Sequence, residues 1–565
     1  MLTAGATAQE GSAVYRELAP GVEIVTAAWS DRAAEALPPG AVALIAELHR
    51  ELAAERRELL VARTERAAAW DGGALPGGAE GPVREAARGA WKVAPLPPDL
   101  LRRRVEITGP ISDPKMVIQM LSRSEEGVRA DAAMLDFEDS MKPSWENVVA
   151  GVENLTGAVD GTLVFERPAD AERPAKTYRI DRDDMPLLMV RCRGLHLDES
   201  NLRVDGRPVS AGLLDLALTA WHTAAKLLAQ GRTPKLYVPK IEHHLEARWW
   251  SRLLARLEDS LDLERGAVRA TFLIETLPAA LQVEEILWEL REHAAGLNVG
   301  RWDKIFSDIK VLKEHRDRVL ADRGWITMER PWMRDYARRL IQVCHRHGAF
   351  AMGGMAAFTP GRSAERRREQ TEKVLADKRW EAALGHDGCW VSHPYFIRPA
   401  LAAFERDHQL DVVPDLPPDV DLLPQGVGPK TQVGLRTNVR VGIAYLEGWS
   451  RDLGCIAWDD LMEDLATLEI SRAQVWQWLR HRIELEDGTR VTPELVTAVF
   501  DEEAARIAEE LREQGARAES SRSFSAAHER ARAIFLEPEL RPFLTNTSPI
   551  AGPRGADRPA EEGPR

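Results

Sequence analysis

The sequence predicts an α/β protein built on a (β/α)8 barrel with helical segments before and after it. Three observations predict this. From about residue 104 to 400, short apolar runs, each ending in Gly or a charged residue, alternate with longer amphipathic stretches. There are eight such strand-then-helix units, the number such a barrel needs. No G-x-G-x-x-G follows the first run, so nothing favours a dinucleotide fold, although a doubly wound open sheet remains the alternative architecture. At 565 residues the chain also exceeds one small core, so further domains accompany the barrel.

Taken in order, residues 41–69 (AVALIAELHRELAAERRELLVARTERAAA) carry Leu44, Leu48, Leu52, Leu59 and Leu60 mainly on one helical face. A Gly/Pro-rich break runs from Asp71 to Pro82, so 1–103 reads as a helical segment followed by an irregular connector. The barrel, 104–413, takes its strands from VEITG (105–109), AAMLDFED (132–139), LLMVRCRG (187–194), KLYVPK (235–240), ATFLIET (270–276), GLNVG (296–300), GAFAMGG (348–354) and GCWVSHP (388–394). Between two of them, QVEEILWELREH sets Val283, Ile286, Leu287 and Leu290 on one helical face. A proline-rich linker spans 414–433, and 434–545 reads as helices throughout, with DLMEDLATLEI as one of them and Ser471 as an N-cap of the next. Residues 546–565 are polar and rich in Gly and Pro, and are expected to be disordered.

Composition narrows the function. A net charge of −14 argues against a nucleic-acid surface. Four widely spaced cysteines give neither a zinc knuckle nor a disulfide framework, which suits a reducing compartment. Neither a signal peptide nor a membrane span is read, so the expectation is a cytoplasmic, soluble protein.

In a barrel, chemistry sits at the C-terminal strand ends. Here those ends carry Asp136, Glu138, Asp139, Arg191, Arg193, Lys240, Glu275, Asp303 and His393. Glu275 and Asp303 lie one strand–helix unit apart, so adjacent strands deliver both carboxylates to one rim. Two oxygen ligands with room for water suit Mg²⁺, and ion pairing with neighbouring Arg or Lys is the structural alternative. In GLNVGRWDKIFSDIK (296–310), Gly296 and Gly300 allow a tight turn, and the amides of 300–303 form a site for a small carboxylate. The basic run 362–379 reads as a solvated helix face, with a CoA phosphate contact as the sharper alternative. The Trp pairs at 249–250 and in WQW (476–478) read as packing.

The stretches RVEITGP, LDFEDS, VRCRGLHL, IETLPA, GLNVGRWDKIFS, GHDGCWVSHP and LMEDLATLEISRAQVWQW together resemble the A-type malate synthases of the glyoxylate cycle, from about residue 90 to 540. The resemblance implies a TIM barrel with an N-terminal helical clasp and a C-terminal helical plug. It implies a transferase that condenses acetyl-CoA with glyoxylate and hydrolyses malyl-CoA, with Mg²⁺. It implies Arg191 as catalytic arginine, Asp464 as catalytic base, and Glu275 and Asp303 as metal ligands. Glyoxylate would meet Arg191, Glu275, Gly300, Arg301, Trp302 and Asp303, and acetyl-CoA would pass Ser140 and Pro394. The chain departs from the family pattern at Lys304 and Asp308, in HPYFIRP (393–399), and at Asp460, a second carboxylate that could raise the pKa of the base. The rivals are a malyl-CoA or citramalyl-CoA lyase, which does not normally hydrolyse the thioester, and a catalytically silent CoA-binding protein.

Overall fold

A computed structural model describes residues 14–124, 126–169, 174–513 and 518–546. The tail expected to be disordered therefore lies almost wholly outside the described residues. Eight parallel strands close into a barrel in chain order: β1 Val105–Pro110, β2 Ala132–Asp136, β3 Leu187–Arg191, β4 Lys235–Val238, β5 Arg269–Ile274, β6 Ala294–Val299, β7 Phe350–Ala356 and β8 Gly388–Val391. Each of the eight apolar runs supplies one strand. Inside, Met134, Met189, Tyr237, Leu273, Phe350, Met352 and Trp390 fill the barrel as a packed core. At its floor Arg103, fully buried, is satisfied by Glu106, Thr271 and the Tyr237 hydroxyl at 2.8–2.9 Å. A buried guanidinium is tolerated only with such partners.

The N-terminal helix Pro39–Asp71 lies across the barrel helices Ala211–Ala229 and His244–Ser260. Trp249 and Trp250 are fully buried there, and the Trp249 indole donates to the Leu52 carbonyl at 3.0 Å, which is the packing role expected of them. The N-terminal segment is not helical alone. Tyr15–Ala19 and Val22–Val25 form a hairpin that joins Asp198–Val204 and Arg207–Ser210 in a four-stranded antiparallel sheet. The turn of that second hairpin is Asp205-Gly206, both at positive φ, the Asp-Gly signal of a tight β-turn.

The C-terminal unit is helical except at one point. Its helices are Gln432–Ser450, Leu465–Arg480, Pro493–Glu513 and Ala518–Phe535. Between the first two, Ile456–Trp458 and Leu461–Glu463 form a hairpin turned at Asp459 and Asp460, both at positive φ. The helix expected over DLMEDLATLEI therefore starts only at Leu465, and Ser471 is buried inside it and is not an N-cap. The hairpin adds itself to the loop after β7: the Met462 amide donates to the Ala357 carbonyl at 2.7 Å and the Thr359 amide to Asp460 at 2.9 Å. Helix Leu465–Arg480 is stitched to barrel loop 320–323. Leu320 donates its amide to Gln477 and accepts from the Trp478 indole, and Gln474 donates to Ala321. Arg323 meets Glu463 at 2.8 Å, both side chains almost fully buried. The unit is thereby fixed over the barrel mouth. Among the described residues no helix is long and apolar enough to cross a membrane.

Candidate active site

The site assembles from strand ends. Asp136 and Arg191 are register partners at the ends of β2 and β3, so their side chains leave the barrel side by side. Asp136 takes the guanidinium with both oxygens, Nε at 2.7 Å, and also accepts from the Ser140 hydroxyl. This planar fork fixes Arg191, as a bidentate carboxylate does. The remaining nitrogen, Nη1, lies 3.8 Å from Glu138 and Asp139, beyond hydrogen-bond length, so it still has donors for a ligand oxygen.

Glu275 follows β5 and Gly300 follows β6, and the pairing of Ile274 with Val299 sets them next to each other. A Cβ on Gly300 would lie 2.5 Å from the Glu275 Cβ. Neither Gly296 nor Gly300 is at positive φ, so the tight turn expected from these glycines is not their role. Gly296 lets β6 pass the backbone of Phe350, and Gly300 leaves space for the Glu275 side chain. The Gly300 amide already donates to the Tyr336 hydroxyl at 3.1 Å, so it is committed within the fold. Helix Trp302–Val311 begins at once, and its first turn, which includes Asp303, has no side-chain cap. Its leading amides are a ready anion site.

Lys240, two residues past β4, stands among four carboxylates. Its ammonium is 2.6 Å from Asp139, 2.8 Å from Asp303, 3.5 Å from Glu275 and 3.6 Å from Glu138. Burial works against that charge, but the four carboxylates more than reverse the effect and hold the lysine protonated. Burial and the neighbouring Asp139 push Glu138 well above the usual carboxylate range; burial, Glu275 and Asp139 do the same to Asp303 against the pull of Lys240. Glu138 Oε2 is buried without a hydrogen-bond partner, and Asp303 Oδ1 meets the Lys240 ammonium at 2.8 Å. Carboxylates grouped at one rim, with Glu138 Oε2 left unpartnered, fit a hard divalent cation. No group of three or more His, Cys, Asp or Glu side chains stands as a complete metal cluster among the described residues, so Glu275 and Asp303 would need water or ligand oxygens to finish the shell.

Asp464 arrives from the C-terminal unit. It is the N-cap of helix Leu465–Arg480: Oδ1 accepts from the Thr467 amide at 3.2 Å, and the Thr467 hydroxyl accepts from the Asp464 amide at 2.9 Å. Burial and then Asp139 push its pKa up to about 7, against the pull of Arg191, Lys240 and the Thr467 amide. Asp460 is not the neighbour responsible. It sits at the hairpin turn and pairs with Arg366 at 2.7 Å, on the outer surface.

One cavity of about 70 Å³ joins these groups. It is lined by Arg191, Glu275, Asp303 and Asp464, by Gly300, Arg301 and Trp302, and by Ser140 at one edge. Pro394 begins a short turn after β8 and is not part of the lining. Asn298, Trp390, Cys455 and Met462 also line it, although their sequence context assigns them no role; all but Cys455 sit inside motifs already quoted. Lys304 and Asp308 form a fully buried ion pair that does not reach the cavity, so this departure compensates itself. The basic run lies on helix Ala364–Leu384, most of it exposed, as expected of a solvated face.

Sequence comparison agrees with this architecture. Sequence models of the malate synthase family match in three parts: the TIM barrel domain over 187–415, the C-terminal domain over 429–548 and the N-terminal domain over 21–80. The chain is 45% identical over 525 residues to a malate synthase of Myxococcus xanthus (strain DK1622), covering 91% of this chain and 93% of the relative. It is 41% identical over 530 residues to malate synthase A of Escherichia coli (strain K12), covering 92% and 96%. A malate synthase of Streptomyces clavuligerus is 42% identical over 538 residues, with the same coverage of 92% and 96%.

Proposed function

The chain belongs to the malate synthase family, and on that premise we propose that its barrel-mouth cavity condenses acetyl-CoA with glyoxylate and hydrolyses the malyl-CoA formed to malate and CoA. The observation that carries the reading is the meeting of Arg191 from the barrel and Asp464 from the C-terminal unit on one cavity, beside Glu275 and Asp303.

Asp464 is the base. Its pKa of about 7 lets it be ionised near neutral pH and still hold a proton it has taken, the best compromise for general-base work. The cap bond to Thr467 fixes one carboxylate oxygen and leaves the other to reach the thioester methyl group. As that proton leaves, charge develops on the thioester oxygen, and Arg191, clamped by Asp136, presents its remaining N–H donors to it. The glyoxylate carboxylate is held by the uncapped amides at the start of helix Trp302–Val311, with Arg301 and Trp302 beside it. Glu275 and Asp303 would hold Mg²⁺, which when bound supplies Lewis-acid polarisation of the glyoxylate carbonyl. The hairpin and helix of the C-terminal unit roof the cavity and keep bulk water from the carbanion before carbon–carbon bond formation. Ser140, bonded to Asp136 at the rim, lies on the side assigned to acetyl-CoA.

The test is release of free thiol from acetyl-CoA on addition of glyoxylate, with and without Mg²⁺. Mg²⁺-dependent release of one thiol per malate supports the reading. Condensation that stops at malyl-CoA would identify a lyase instead, and no turnover at all would leave a binding protein.

A further inference from the structure

Arg63 belongs to the N-terminal helix, far in sequence from every residue of the site, yet it is buried beneath it. Its Nε and Nη2 grip Glu246 at 2.7 and 2.6 Å, and Nη2 also donates to the backbone carbonyl of Lys240 at 2.8 Å. Lys240 is held at φ +56°, a left-handed conformation that a lysine does not adopt without support. Two things depend on that conformation. The Lys240 amide donates to Glu275 Oε1 at 2.9 Å, and the Lys240 ammonium reaches Asp303 at 2.8 Å. Arg63 also lies 3.6 Å from Glu242, which pairs with Lys310 at 2.7 Å on helix Trp302–Val311, the one that carries Asp303. Arg63 thus ties together the backbone that aims Glu275 and the helix that carries Asp303.

We propose that Arg63 is a positioning residue for the Glu275–Asp303 pair, so that the N-terminal helix sets the cation-binding geometry of the site. This deepens the function proposed above and rests on it. A purely structural Arg63 would stabilise the helix on the barrel and leave the properties of the folded site unchanged. A positioning Arg63 alters cation and glyoxylate binding while the acetyl-CoA side is left alone.

The experiment uses the full chain and Mn²⁺ as probe, titrated without substrate and followed by electron paramagnetic resonance, beside KM and kcat for both substrates. Arg63→Met should weaken Mn²⁺ binding about 10–100-fold, the usual cost of losing a residue that orients ligands. KM for glyoxylate should rise with it, and KM for acetyl-CoA should stay unchanged. Because Arg63→Met leaves Glu246 with only Arg66, 3.5 Å away, the double variant Arg63→Met/Glu246→Gln, which removes that buried carboxylate, is measured beside it with the same expectation. Arg63→Lys keeps the charge but cannot span Glu246 and the Lys240 carbonyl together; it should fold and give an intermediate loss. Mn²⁺ affinity equal to that of the unaltered protein in the folded variants would overturn the role of Arg63 alone. Failure of the unaltered protein to bind Mn²⁺ would overturn the functional reading with it.

Discussion

Replacing Asp464 by Asn separates catalysis from stability, because the two respond in opposite directions. Asn is as good an N-cap as Asp, so the bond to the Thr467 amide survives and helix Leu465–Arg480 keeps its start. The loss is chemical. Without a base the thioester proton stays, and the rate should fall by about 10²–10⁴-fold or more. The gain is electrostatic. In the unfolded chain Asp464 ionises near 3.8, and in the fold near 7, because burial and Asp139 oppose its charge. Folding therefore favours the protonated form: the associated stability is full below pH 3.8 and is lost as pH rises to about 7. Each pH unit of that interval is worth about 1.4 kcal/mol, and partial exposure of the side chain reduces the total to about 2–4 kcal/mol at pH 8. Asn carries no such penalty. Asp464→Asn should therefore be more stable than the parent at pH 8, with the difference shrinking toward pH 5. Urea denaturation at both pH values gives the stability. Deuterium exchange of the acetyl-CoA methyl group, followed by proton NMR, gives the chemistry. An Asn variant that exchanges at the parent rate would remove Asp464 from its role, and one that is less stable at pH 8 would refute the electrostatic argument.

Three further outcomes are expected. Glu275→Gln and Asp303→Asn should each abolish Mg²⁺-dependent thiol release with the circular dichroism spectrum unchanged; near-normal turnover at low Mg²⁺ would contradict their role as ligands. Arg191→Lys keeps a charge but loses the fork that Asp136 clamps, so kcat should fall by about 10²–10³ with little change in melting temperature. Parent-like kcat would make Arg191 structural. Gly300→Ala forces a Cβ to within 2.5 Å of the Glu275 Cβ, and relieving that clash should cost about 1–3 kcal/mol in urea denaturation and weaken Mn²⁺ binding. A fully stable, fully active variant would mean that the Glu275 side chain has room to spare.

The barrel was legible in the sequence because its signal is local. Runs such as KLYVPK and ATFLIET are apolar on both faces and end abruptly at charge, which only a buried parallel strand explains, and all eight became strands. The placement of candidate residues at strand ends was legible for the same reason: Arg191 and Glu275 stand where the apolar pattern stops. The hairpin at 456–463 is hidden in the sequence because Leu461, Leu465 and Leu468 have helical spacing, which masks the competing signal of Asp464 three residues before Thr467 as a helix start. The N-terminal strands were missed because their partners at 198–210 lie far along the chain. What only the tertiary structure decided is which charges share a space. Asp464 titrates near 7 because burial and Asp139 from the barrel oppose its charge, and Lys240 is surrounded by carboxylates delivered from two different strand ends and one helix. Secondary structure is written in neighbouring residues, but an electrostatic field depends on distance through space and on the exclusion of water, and neither exists until the chain has closed on itself.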